Sequence, residues 1–472
     1  MSTTETPTAK ERMAIERAAM PEQPAEERVR NFNEVNLGLV EEVAVREAQR
    51  CLQCKNRPCV QGCPVGLRIP EFLEKIAARD FAAAAEILQA DNALPATTGR
   101  VCPQEEQCER LCVRGKRGEP VAIGWLERFV ADWMAEHATA PASKADPSGF
   151  RVAVVGSGPG GLTAAGELAL RGHEVTIFEA LHDAGGVLRY GIPEFRLPKR
   201  IIDREVANLE ALGVALETNV VVGRTLTIGQ IREQFDACFI ANGAGLPRFC
   251  NIPGENLKGV YSANEYLTRV NLMGAYRYES RTPVARGTTT VVFGGGNTAM
   301  DSVRTARRLG SERAIIAYRR GREEMPARAE EVKHAQEEGI EFMFLVSPTE
   351  LLGDEDGWLR AARLQRMELG EPDASGRRRP VPVDGSEFEL PCQVAVAAIG
   401  TKANPLLTGT APNLQLNKWG NIETNERHQT SLPDVFAGGD IVRGGATVIL
   451  AMGDGKAAAR EIDDFLREGA SA

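Results

Sequence analysis

Seven of the chain's ten cysteines fall between residues 51 and 112, in the runs Cys51-x2-Cys54-x4-Cys59-x3-Cys63-Pro64 and Cys102-x5-Cys108-x3-Cys112. So many thiols in so short a segment fold around metal or around disulfides. Disulfides belong to oxidising compartments. The first 30 or so residues are polar and Glu-rich, carry no secretory-type apolar stretch, and read as a helix-prone arm of a cytoplasmic chain. Zinc favours two CxxC pairs or Cys/His mixtures, yet there is one CxxC and all five His lie elsewhere. A thioredoxin-like CxxC sits beside a βαβ unit, whereas Cys51 and Cys54 precede a helical stretch. The spacing points to iron–sulfur chemistry. Cys238, Cys250 and Cys392 read as ordinary core thiols on or beside strands.

In bacterial ferredoxins a run ending in Cys-Pro sends its fourth ligand to a neighbouring cluster. On that pattern Cys51, Cys54 and Cys59 share one cubane and Cys63 leaves for a second. Cys102 and Cys108 can join Cys63, and Cys112 can return to complete the first. Seven thiolates leave two four-ligand clusters one ligand short, so an eighth group is required. The run departs from the ferredoxin form in placing four residues, not two, between its second and third Cys.

Apolar residues at helical spacing, as in Ile69, Phe72, Leu73 and Ile76, make residues 35–137 mostly helical. The small, Pro-containing stretch 138–149 reads as a linker. From Arg151 the pattern becomes strand, glycine loop, helix, strand, the mark of a doubly wound α/β domain. At 472 residues there is room for two or three domains. A net charge of −9 argues against nucleic acid as partner, and no 18-residue apolar run provides a membrane span.

The first glycine loop follows the strand Val152–Val155. Gly156 makes the tight turn, Gly158 admits a pyrophosphate and Gly161 lets helix and strand pack closely. The second strand ends in Glu179, placed to accept hydrogen bonds from a ribose. Gly185 and Gly186 supply another close approach. Far downstream, Gly438-Gly439-Asp440 and the Thr447 segment resemble the closing motif of two-dinucleotide flavoproteins. That resemblance implies FAD at the first loop, with Asp440 at the ribityl-phosphate region and the next helix aimed at the ring.

A second unit opens near Thr288, with Gly294, Gly296, Asn297 and Thr298 forming its loop. Its following strand ends in Arg319-Arg320 instead of an acid. Guanidinium groups suit a ribose 2′-phosphate, which favours NADP(H). The run Arg377–Arg379 reads as a solvated hairpin tip. Hydride passes directly between nicotinamide and flavin, so no catalytic acid or base is expected.

The order of Cys runs, FAD loop and inserted NADP loop resembles the glutamate synthase small (β) subunit family from about residue 30 to 465. Its relatives are the large subunit of NADH-dependent ferredoxin:NADP oxidoreductase and the N-terminal half of dihydropyrimidine dehydrogenase. The resemblance implies two [4Fe-4S] clusters, one on Cys51, Cys54, Cys59 and Cys112, the other on Cys63, Cys102 and Cys108. It also implies an oxygen ligand from the segment holding Glu127. The fold expected is a helical iron–sulfur domain (1–146), then two Rossmann-like dinucleotide-binding domains of pyridine nucleotide-disulfide reductase type. The FAD domain is discontinuous (147–286 and 401–472) and the NADP domain is inserted (287–400). Cys102-x5-Cys108 departs from the x3 spacing typical of the small subunits and leans towards the ferredoxin:NADP relative.

Residue 2 is Ser rather than a nucleophilic Cys, and no segment is left over for an FMN barrel, so this chain alone does not make glutamate. Three functions are expected to compete. One is an NADPH-to-cluster electron-input subunit for an FMN-containing glutamate synthase large subunit. Another is a bifurcating ferredoxin:NADP oxidoreductase subunit with a FAD/[2Fe-2S] partner and ferredoxin. The last is a non-catalytic redox- or nucleotide-sensing module.

Overall fold

The structure, a computed structural model, describes residues 8–137, 144–373 and 376–470. The start of the expected linker, at 138–143, lies outside the described residues. Among those described before Arg151 there are helices and no strands. The helix Ile69–Ala77 buries Ile69, Phe72, Leu73 and Ile76 on one face, as their spacing dictates. The helix Ile123–Glu136 turns Leu126, Glu127 and Val130 inward.

Two five-stranded parallel sheets follow. In the first, the strands run in the order Val435–Ala437, Ala237–Ile240, Arg151–Val155, Glu174–Phe178, Ala215–Glu217. The second runs Val260–Ser262, Val394–Ala397, Thr289–Phe293, Arg313–Tyr318, Glu341–Phe344. In each, the strand feeding a glycine loop lies at the centre, buried on both faces, hence its unbroken Val-rich sequence. Leu246–Pro247 pairs antiparallel with Thr401–Lys402 where the chain crosses between the sheets.

One boundary moves. Val260–Ser262, expected in the FAD unit (147–286), pairs in parallel with Val394–Ala397 and so belongs to the second sheet. Of the run Arg377–Arg379, Arg378 and Arg379 lie on the strand Arg378–Pro382, which pairs with Leu359–Pro372.

The helical region and the first sheet share one core. Leu88, Leu126 and Val130 pack in the same apolar cluster as Val154, Leu168, Ile201 and Met452. A polar contact seals this junction: buried Glu205 accepts from Ala96 N at 2.9 Å, Thr97 N at 3.1 Å and the Thr97 hydroxyl. Burial raises its carboxyl from 4.5 to about 7, against those hydrogen bonds. The native state therefore binds this proton more tightly than the unfolded chain, and stability falls as pH rises from 4.5 towards 7. Glu205→Gln is expected to match the wild-type melting midpoint at pH 5 and exceed it at pH 8, by on the order of 2–3 kcal/mol. Parallel melting curves across that range would refute this.

A buried charge network helps join the second unit to the rest. Glu338 accepts from Arg28 of the N-terminal arm at 3.0 Å, from Arg304 at 2.8 Å and from Arg308 at 2.6 Å. Arg304 and Arg308 lie 4.8 and 3.9 Å from the centre of the Phe195 ring, and Arg196 reaches Asp301 and Glu331, both at 2.8 Å. Arm, first unit and second unit meet in this one network.

Candidate cofactor-binding sites

Cys51, Cys54, Cys59 and Cys112 line a single pocket whose other walls include Pro58, Ile69 and Leu73. Electrostatics sorts the thiols the same way. Burial first, then the neighbouring Cys112 and Cys54, hold Cys51 up to about 11, and burial with Cys51, Cys112 and Cys54 holds Cys59 up to about 12. Cys102 and Cys108 are raised by burial, by Cys63 and by Glu127.

The sets are also too wide for one ion. Among the described residues, only Glu22, His334 and Glu337 bring three ligand atoms within 4.8 Å of one another. Thiolates around tetrahedral zinc stand about 3.8 Å apart. Wide cysteine sets fit a multi-iron cluster instead. The Glu22 triad already answers to cations, since Arg28 pairs with Glu22 and Glu337 and Lys333 lies beside both.

Glu127 is buried beside the second set. Asn92 Nδ2 (2.7 Å) and Thr98 Oγ1 (2.6 Å) both donate to its Oε1, so the other oxygen takes neither bond. Burial raises its carboxyl to about 7. A buried carboxylate with one fixed oxygen fits a metal ligand.

At the first glycine loop, Gly156 has φ +101°, and a Cβ there would lie 2.6 Å from Ala241 O. A Cβ on Gly158, by contrast, meets nothing within 4 Å. The helix Pro159–Leu170 begins there without a side-chain cap, leaving its first N–H groups for a pyrophosphate. Gly186 packs on Gly158, its Cβ position 2.8 Å from Gly158 Cα. Glu179 closes the strand as expected but is already engaged, accepting from Ser157 N at 2.9 Å and Leu181 N at 2.8 Å. Asn242 Oδ1 is buried without a partner beside the same loop, an acceptor suited to a cofactor donor. Gly439 N donates to Asp454 Oδ2 at 2.9 Å, and Ala446 N donates to Asp440 Oδ1 at 3.1 Å. Burial raises Asp440 to about 6. Thr447 Oγ1 accepts from Leu450 N at 3.4 Å at the start of the long helix Val448–Ala470.

The second loop repeats the first. A Cβ on Gly294 would clash with Ala398 O, whereas Gly296 faces open space apart from Pro326, and the helix Asn297–Arg308 starts uncapped. Asn297 Oδ1 is taken by Arg328 N at 2.9 Å, while Thr298 is exposed. The arginine pair divides. Arg320 is buried, donating to Asp373 at 2.7 Å and to Arg378 O at 2.8 Å, so the structure does not offer it to a 2′-phosphate. Arg319 is exposed. Arg319→Ala is expected to raise the KM for NADPH about 10- to 100-fold while barely changing that for NADH, consistent with one lost charge-assisted contact. Equal losses with both nucleotides would remove Arg319 from the site.

Sequence reasoning missed Arg328, which joins the second unit to the iron–sulfur segment through Glu105 (2.9 Å) and Gln104 (3.2 Å). It also missed Gly453 and Gly455 in the long helix. A Cβ on Gly453 would lie 3.0 Å from Pro64 O, and one on Gly455 2.2 Å from Gly160 O. Two glycines inside a helix, each costly there, were the available signal.

Fold and site together define a flavin- and NADP-linked oxidoreductase with an iron–sulfur domain. Residues 28–139 match the family described as dihydropyrimidine dehydrogenase domain II, 4Fe-4S cluster. Residues 150–455 match pyridine nucleotide-disulphide oxidoreductase. The glutamate synthase [NADPH] small chain of Azospirillum brasilense is 36% identical over 463 residues, which cover 96% of this chain and 95% of that one. The chain belongs to the glutamate synthase small-chain family and is an NADPH-dependent flavin oxidoreductase.

The NADP(+)-dependent formate dehydrogenase subunit beta of Moorella thermoacetica is 41% identical over 437 residues, covering 87% of this chain but 60% of that subunit. The fold also matches Mycobacterium tuberculosis FprA in complex with NADPH, with TM-score 0.57, 23% identity, and 68% and 86% of the two chains covered. No helix among the described residues is long and apolar enough to cross a membrane.

Proposed function

We propose that this chain is an electron-input subunit that takes reducing equivalents from NADPH and delivers them, through FAD and two [4Fe-4S] clusters, to a partner subunit of glutamate synthase type. When bound, the nicotinamide and flavin exchange a hydride and the clusters move electrons singly. In this reading Gly156, Gly158, Gly161, Glu179, Gly186, Gly439, Asp440 and Thr447 hold FAD. Gly294, Gly296, Asn297, Thr298 and Arg319 hold NADP(H).

The observation that carries the reading is the contact of Pro64, next to Cys63, with Gly453. It sets the Cys63, Cys102, Cys108 and Glu127 site against the helix whose start faces the flavin. In this reading that site is the nearer to FAD, and the set of Cys51, Cys54, Cys59 and Cys112, three of whose four thiols are half-exposed, is the outer one.

The test is anaerobic purification with the native partner. NADPH should bleach the flavin absorbance, and a large FMN-containing partner should confer glutamine-dependent NADPH oxidation. Flavin that stays oxidised under NADPH sinks the proposal. A second reading, that the acceptor is a different oxidoreductase subunit, is favoured by the Cys102-x5-Cys108 spacing. It predicts a partner without glutamine-dependent turnover.

A further inference from the structure

Resting on that reading, we infer that the outer cluster's rim is the docking surface for the electron acceptor, and that the acceptor meets it with an acidic face. The two loops carrying Cys54, Cys59 and Cys112 touch each other: a Cβ on Gly62 would lie 2.8 Å from Gln107 O and 3.1 Å from Leu111. Across residues 54–62 and 110–118 they contain no Asp or Glu, the nearest acids in the chain being Glu109, which is buried and paired with Arg17, and the exposed Glu105, Glu106 and Glu119 at the margin. They expose Lys55, Arg57, Arg110, Lys116 and Arg117, on a chain whose net charge is −9.

Of these five, only Arg57 has an ion-pair partner among the described residues, Glu71. Unpaired surface cations gathered on one patch of an acidic protein steer an oppositely charged partner and raise its association rate. Leu111, 37% exposed and next to Cys112, gives the patch an apolar centre. Three of the four thiols of the outer set, Cys54, Cys59 and Cys112, are half-exposed under this rim, against one of three, Cys63, in the inner set. Each NADPH yields two electrons, NADP+ and one proton, so two one-electron acceptors leave this surface reduced per turnover.

The test uses the holoprotein under anaerobic conditions, with NADPH as donor and an acidic plant-type [2Fe–2S] ferredoxin as probe acceptor, beside a basic c-type cytochrome. The double variant Lys116→Glu/Arg117→Glu is expected to slow ferredoxin reduction about tenfold at low salt and to speed cytochrome reduction. Both differences should shrink above about 0.3 M ionic strength. Lys116→Gln/Arg117→Gln should fall between, and NADPH bleaching of the flavin should be unchanged in both.

Three results overturn the inference. Ferredoxin rates could be indifferent to salt and to both variants. The variants could shift only the outer cluster's midpoint potential, which would make the rim a counter-charge for the cluster. The wild type could bind phosphatidylserine vesicles through this patch while ferredoxin rates stay level. Wild-type flavin that NADPH does not bleach is a different failure: it removes the proposed function, and this surface with it.

Discussion

Replacing Glu338 with Gln is expected to cost about 3–5 kcal/mol, because it leaves the guanidiniums of Arg28, Arg304 and Arg308 buried without their shared counter-charge. All three side chains are at most 2% exposed. Burial alone would raise Glu338's carboxyl, but Arg304 and Arg308 hold it well below its usual range. A carboxyl depressed in the folded state adds stability above its unfolded pKa, and that stability is lost as pH falls through the folded value. The gap between wild type and variant should therefore be constant from about pH 5 to neutrality and close only in strong acid. Denaturant midpoints measure it. As a control, Glu389→Gln at the exposed Arg363 pair should stay within about 0.5 kcal/mol of wild type. A Glu338→Gln midpoint no lower than the control's would show that the network does not hold the second unit.

The second large effect is on iron. On the proposed two-cluster assignment, Cys112→Ser removes one of the four thiols lining the outer pocket and should lower bound iron from about eight to about four atoms per chain. The flavin should still bleach with NADPH, because the inner site beside Gly453 is untouched. Delivery to an external one-electron acceptor should fall by two orders of magnitude or more, roughly the loss of a required carrier. Cys102→Ser should remove the other half of the iron, and Cys250→Ser, at a thiol outside both sets, none. Iron analysis with electron paramagnetic resonance separates these cases. Full iron in Cys112→Ser would contradict the assignment of Cys112 to the outer cluster.

What was legible in the sequence was local chemistry at fixed offsets. The cysteine runs and the two strand–glycine loop–helix units were legible, because each loop's strand, turn and helix are contiguous. What was hidden depended on partners far along the chain. Arg319 and Arg320 look equivalent in sequence, yet Asp373, more than fifty residues on, claims one and leaves its neighbour exposed. Val260–Ser262 is three residues long, too short for a strand period to register, so its place at the edge of the second sheet was misread. Nothing local in the sequence marks Arg304 and Arg308 as buried: that depends on Phe195 from the first unit and on Glu338, thirty residues further along their own unit. Glu205 likewise carries no local signal for its role: it seals the junction with Thr97, more than a hundred residues away.

The apolar cluster running from Leu88 through Leu126 to Val154 and Met452 sets the unit in which this chain folds. Its two family matches meet near the linker, as though a cluster cassette had been clipped onto a flavoprotein. The side chains tell another history: separating the halves would leave each with a raw apolar face. Neither half is therefore a separable module: the chain from the cysteine runs to the long final helix has to fold as one body.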